Sequence, residues 1–95
     1  MEIITLENIP SQTFGIVLND QECRLTFYTR GDELYMDLEV DNRPEYQGVV
    51  CRDRTNLTPY IYRNFKGSLY FVDLNGTTDP KCEEFNTRYI LVYEE

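Results

Sequence analysis

The side chains in this sequence that could carry chemistry are 17 carboxylates, two lysines and three thiols, because there is no histidine. That absence removes the commonest general base, the commonest zinc ligand and every serine–histidine or cysteine–histidine nucleophile pair. What is left is acid–base work by paired carboxylates or by a lysine of lowered pKa. The carboxylates are badly placed for it. Asp37 and Glu39 fall on the outward face of a period-2 segment, Asp20, Asp32 and Asp41 fall in turns, and Glu83-Glu84 and Glu94-Glu95 are solvated charge runs. Lys66 and Lys81 have no apolar neighbourhood to desolvate them. Cys23, Cys51 and Cys82 are too far apart for a Cys-x-x-Cys motif and, being odd in number, cannot all pair within one chain, so they read as reduced structural thiols, the odd one leaving room for an intermolecular bond. The expectation is a non-enzymatic protein with no catalytic residue, no metal and no cofactor.

Binding is the chemistry that remains. The net charge of −8 and the pI near 4.4 argue against a nucleic-acid backbone as ligand, since such binding needs lysine and arginine to displace counterions from phosphates. Charge is uneven along the chain: residues 43–66 carry +3, from Arg43, Arg52, Arg54, Arg63 and Lys66 against Glu45 and Asp53, and all other residues together carry −11. The same stretch holds Leu57-Thr58-Pro59-Tyr60-Ile61-Tyr62-Arg63-Asn64-Phe65, the densest aromatic run in a chain with eight tyrosines and no tryptophan. Tyrosine offers a broad apolar face with a polar tip, and tyrosine and arginine are common anchors of protein interfaces. Arg52, Arg54, Tyr60, Tyr62 and Arg63 are therefore the candidate partner-binding residues. The partner is either an acidic protein or a further copy of the chain stacked head to tail. The plainer reading of the same aromatics is that they close one end of a barrel.

These residues must be positioned by strands. In Leu34-Tyr35-Met36-Asp37-Leu38-Glu39-Val40 the apolar residues alternate onto one face, and Cys23, Leu25 and Phe27 do the same in the segment before it. Gly31-Asp32 between them predicts a hairpin turn, which is also the plain reading of the Arg30-Gly31-Asp32 tripeptide. Further strands are predicted over residues 2–6, 12–18, 68–73 and 88–93, with a short buried one at 47–51. Pro59 marks an edge or extended loop, and one helical turn has room around Arg54–Leu57. No window has helical periodicity over three turns, and no apolar run approaches the ~20 residues a membrane helix needs. The N-terminal residues lack the basic and apolar regions of a signal peptide, so the sequons at Asn56 and Asn75 read as chance. Short strands at a spacing of about 8–12 residues predict an all-β fold, a small antiparallel barrel or sandwich built from a meander of about six or seven strands, with residues 1–95 as a single domain.

The order of segments resembles the small baseplate plug family of contractile-tailed bacteriophages. The resemblance is carried by Ile3-Ile4-Thr5-Leu6, Gln12-Thr13-Phe14 leading into an alternating strand, the hairpin around Gly31, Gly67-Ser68-Leu69-Tyr70-Phe71-Val72-Asp73, and Thr87-Arg88-Tyr89-Ile90-Leu91-Val92-Tyr93. It implies a virion structural protein at the distal end of the tail, assembled in the host cytoplasm, contacting hub, tube or neighbouring baseplate subunits and using no catalytic residue. The competing expectation is a free-standing acidic β-barrel that binds a ligand or inhibits another protein.

Overall fold

The computed structural model describes residues 2–60 and 65–95. It is all-β: seven strands form two antiparallel sheets that face each other as an open, sandwich-like pair and do not close into a barrel. The strands are β1 (Glu2–Ile4), β2 (Ser11–Leu18), β3 (Gln21–Arg30), β4 (Glu33–Val40), β5 (Arg43–Val50), β6 (Ser68–Asp73) and β7 (Tyr89–Glu94). The meander is real for β2-β3-β4-β5, which make the larger sheet in chain order. In the smaller sheet β7 lies between β1 and β6, so the two ends of the chain pair with each other, Ile4 opposite Leu91.

Turn chemistry sets the register of the larger sheet. Asn19-Asp20 and Asp41-Asn42 have left-handed dihedrals at both central positions of two-residue turns, and Gly31 has φ 66° at the first central position of the turn between them. Primed turns of this kind match the twist of the strands they join. Their pairings, Leu18 with Gln21, Arg30 with Glu33 and Val40 with Arg43, place Cys23, Leu25, Phe27, Leu34, Met36, Leu38 and Val40 inward, as the alternation predicts.

The two sheets share one apolar cluster. A run of rings crosses it. Phe14 of β2 stacks on Phe27 of β3 at 6.3 Å between centroids, Phe27 meets Phe71 of β6 edge-on at 5.7 Å, and Phe71 stacks on Phe85 at 5.8 Å. Such pairs contribute roughly 0.5–1.5 kcal/mol each beyond the area they bury. Gly67, with φ +110°, leads into β6. A Cβ there would lie 2.5 Å from the Tyr93 ring, so only glycine lets that ring close the core.

Two local expectations are corrected. The strand expected at 47–51 runs from Arg43 to Val50, and Gln47 and Gly48 are exposed. Bulges interrupt its pairing with β4, and Gly48 turns its amide out of the ladder to donate to Asp37 at 2.7 Å. The helical turn expected near Arg54–Leu57 is an irregular segment laid against the edge of β6, with Asp53 bridging to Phe71 and the Leu57 amide donating to Leu69. The Arg54 and Leu57 amides bond to the carbonyls of Phe71 and Leu69, so they do not serve a helical turn. A 3₁₀ turn occurs at Cys82–Glu84 instead.

The register is tested by adjacent residues of β4. Leu38→Asp sets an unpaired carboxylate in the core and should cost at least about 3 kcal/mol, enough to unfold most of a domain this small. Glu39→Lys changes a half-exposed charge, paired among the described residues with Arg24 at 3.8 Å, and should shift stability by under about 1 kcal/mol. Equal effects in thermal unfolding would mean the assigned face is wrong.

Candidate functional site

The most elaborate polar site is built around a residue that faces the wrong way for an acid. The alternation in β6 that buries Leu69 and Phe71 also buries Asp73, which is 1% exposed. Arg88, at the foot of β7, answers it with two donors: Nε to Oδ1 at 2.9 Å and one terminal nitrogen to Oδ2 at 3.0 Å. The amides of Asn75 and Thr78 donate to the same carboxylate at 2.9 and 2.8 Å. Arg88 above all, then these amides, hold the carboxyl well below the usual carboxylate range against the burial that opposes it. The arginine also lies over the Tyr89 ring, 5.2 Å from its centroid.

The network reaches the candidate arginines. The Asp73 amide donates to Asp53, and the Asp53 amide donates to Asp79. Arg54 contacts the Asp53 carboxylate and donates to the carbonyls of Asp73 and Gly76 at 3.2 and 3.1 Å. Arg52 bridges Glu33 and Asp79, each at 2.9 Å. Glu33 is thereby lowered in pKa, by the Tyr35 hydroxyl first and by Arg52 second. Asp79 is lowered as well: burial would raise it, but the Asp53 amide and Arg52 outweigh that. Both arginines remain about half exposed, at 45% and 51% of the side chain. They are internal clamps with an open outer surface.

Tyr60 is placed elsewhere, against β5. Its ring stacks on Tyr46 at 6.1 Å and 9° between planes, and the Tyr46 hydroxyl accepts from the Tyr60 amide at 3.2 Å and lies 3.3 Å from the Tyr60 carbonyl. Half of Tyr60 is exposed. Tyr62 and Arg63 lie outside the described residues. The remaining basic residues of the stretch, Arg43 and Lys66, line a cleft with Gln21, Val40 and Asp41. The +3 segment is thus divided among separate places on the surface.

Sequence reasoning missed Asp73 and Arg88. The signal was present, since an inward register for Leu69 and Phe71 makes Asp73 inward as well. Among the described residues no three carboxylates or thiols converge to hold a metal ion. The three cysteines are free and buried. Burial pushes the Cys23 thiol up to about 11 and the Cys51 thiol higher still, so neither presents a thiolate at neutral pH.

The fold and this site define a structural β-sandwich whose polar chemistry is spent on holding loops. The whole chain, residues 1–95, matches the family model of the cyanophage baseplate Pam3 plug gp18, and the chain belongs to that baseplate plug family. A comparison with curated proteins gives no match. Membership places the protein in a phage tail baseplate, among other baseplate and tail proteins.

Two outcomes follow from the site. Because the folded Asp73 carboxyl titrates below its unfolded value of about 4, the stability it adds is fully present above that value and is lost as pH falls through the folded one. Asp73→Asn should lower the melting temperature at pH 7, by about 5 °C or more, and flatten its fall below about pH 4. An unchanged acid limb of Tm against pH would remove Asp73 from that role. A thiol reagent should label all three cysteines after denaturation without reductant, and label the native protein only slowly.

Proposed function

We propose that this chain is a non-enzymatic plug at the hub and tube end of the tail baseplate, acting only through contacts with hub, tube or neighbouring subunits. The observation that carries the reading is the whole-chain family match. Its finer part, that the 43–66 stretch is a docking surface, is supported by the Tyr60–Tyr46 stack. The ring of Tyr60 is held parallel to its neighbour by bonds to its own backbone and still offers half its surface. An aromatic ordered before binding loses little entropy on docking. Arg52 and Arg54 add half-exposed guanidinium groups held on a rigid frame, and the acidic remainder of the surface lets DNA pass nearby without sticking.

The test is incorporation into particles. Tyr60→Ala should melt within about 4 °C of the parent and reduce the amount of chain that sediments with purified virions about tenfold. Arg52→Gln loses its two acidic partners, so its incorporation is compared with its own melting temperature. Normal incorporation of both variants would remove the stretch from the interface. Absence of the parent chain from intact particles would overturn the baseplate reading and favour a free-standing binding protein.

A further inference from the structure

The four sheet edges are not alike. β1 offers only three residues. β5 is broken by bulges and carries Arg43, Pro44 and Glu45. β6 is covered by residues 53–57, through the Asp53–Phe71 bridge and amide bonds from Arg54 and Leu57. Short strands, charges, proline, bulges and covering loops are the usual guards against edge pairing. Among the described residues β2 has little of this: its start is tied to the preceding segment, where the Gln12 side chain exchanges bonds with the Glu7 backbone, and the rest of the strand is left open. Its eight residues, Ser11-Gln12-Thr13-Phe14-Gly15-Ile16-Val17-Leu18, hold no charge and no proline, and its register with β3 runs unbroken from Ser11–Tyr28 to Leu18–Gln21. Its ladder partner is β3, on one side only.

The side chains along that edge are half covered as well. Phe14 and Ile16 pack against the core with one flank open, and a cleft of about 270 Å³ lies beside Phe14, with Thr5, Glu7, Gln12 and Thr13. On the opposite face Val17 is 61% exposed. Gly15 beside it has no structural need to be glycine: a Cβ there would make only ordinary contact, 3.7 Å from the Cys23 carbonyl. A glycine inside a strand weakens it, and one without a local reason marks a place where another backbone comes close. It leaves a groove of about 270 Å³ along β2 and β3, in which Glu22, Glu39 and Asp41 outnumber Arg24, itself paired to Glu39.

We infer that the outer edge of β2 receives an extended segment of a neighbouring baseplate protein as an added strand, and that this segment carries lysine or arginine beside Val17, on the face that Glu22 shares. The backbone ladder supplies the contact and alternate side chains supply the choice of partner. Inward apolar residues of the guest cover Phe14 and Ile16, while its outward cation beside Val17 meets Glu22, the cross-strand partner of Val17. A second copy of this chain fits poorly, because β2 has no cation to offer and each copy carries −8. The inference rests on the plug reading only for where the neighbour is found.

A photo-cross-linking amino acid in place of Val17, in protein assembled into virions, tests it. Mass spectrometry should place the cross-link in a basic, extended segment of another virion protein. A cross-link to a second copy, or none from chain that is present in the particles, overturns the inference. If the chain is absent from particles the plug reading fails by itself, and the edge is then decided in solution with short synthetic peptides of alternating lysine and valine or glutamate and valine. The lysine peptide should slow amide exchange at alternate residues of β2. Val17→Lys, which faces Glu22 and keeps the fold, should weaken its binding about tenfold or more, and Val17→Thr should not. Equal binding of the glutamate peptide, or protection of amides elsewhere, overturns the inference in that arm.

Discussion

The buried carboxylate of Asp73 is the constraint around which one end of the sandwich is arranged. A charge with no exposed surface is tolerated only when its oxygens are fully bonded, and removing one partner costs far more than the pair contributes over an apolar replacement. Here the bonds come from three directions. Arg88 ties the carboxylate to β7, the amides of Asn75 and Thr78 wrap the loop around it, and Asp53 binds its backbone to the segment that follows β5. The loop between β6 and β7 is long and largely irregular, and this carboxylate joins its beginning, at Asn75 and Thr78, to its end, at Arg88.

The same arrangement explains why the arginines near it are poor evidence of a ligand site and good evidence of a rigid surface. Arg52 and Arg54 each satisfy backbone or carboxylate oxygens of this chain. A side chain clamped in this way keeps a fixed position for whatever meets its outer face. Tyr60 has the same character on another part of the molecule, fixed by the Tyr46 ring and hydroxyl. For a baseplate component this is apt, because a subunit locked among many neighbours gains from surfaces that need no reordering on assembly.

The edges of the sheets divide the molecule in a different way. The flank between β5 and β6 is sealed by the chain's own 51–57 segment. The flank at β2 is tied down only at its start, by Gln12 to Glu7, and of the strands among the described residues it alone carries no charge. Membership of the baseplate plug family gives such an open edge a natural setting, since an edge that would invite aggregation in a free protein is harmless once a neighbour occupies it.

How much of this was legible in the sequence depended on the range of the interaction involved. Period-2 alternation in 23–28 and 34–40, and the pairs Asn19-Asp20 and Gly31-Asp32, placed β2, β3 and β4 and their buried faces, because strand register and turn dihedrals are local properties of adjacent residues. Absence of histidine and the acidic balance likewise needed no structure to set aside the commonest catalytic chemistries and phosphate binding. The pairing of β1 with β7 joins residues some 90 positions apart and no local pattern carries it. Pro44 and the bulges hid the first half of β5, since an edge strand tolerates residues that a central strand excludes. Asp73 was masked by its type: a carboxylate reads as solvated until the guanidinium fifteen residues later is seen to reach it. The sequence by itself determined the strands, their inward faces and the absence of histidine-based chemistry. Only the tertiary structure decided which charges are internal clamps and which edge is left open, because both depend on which distant residues the two sheets bring within bonding distance.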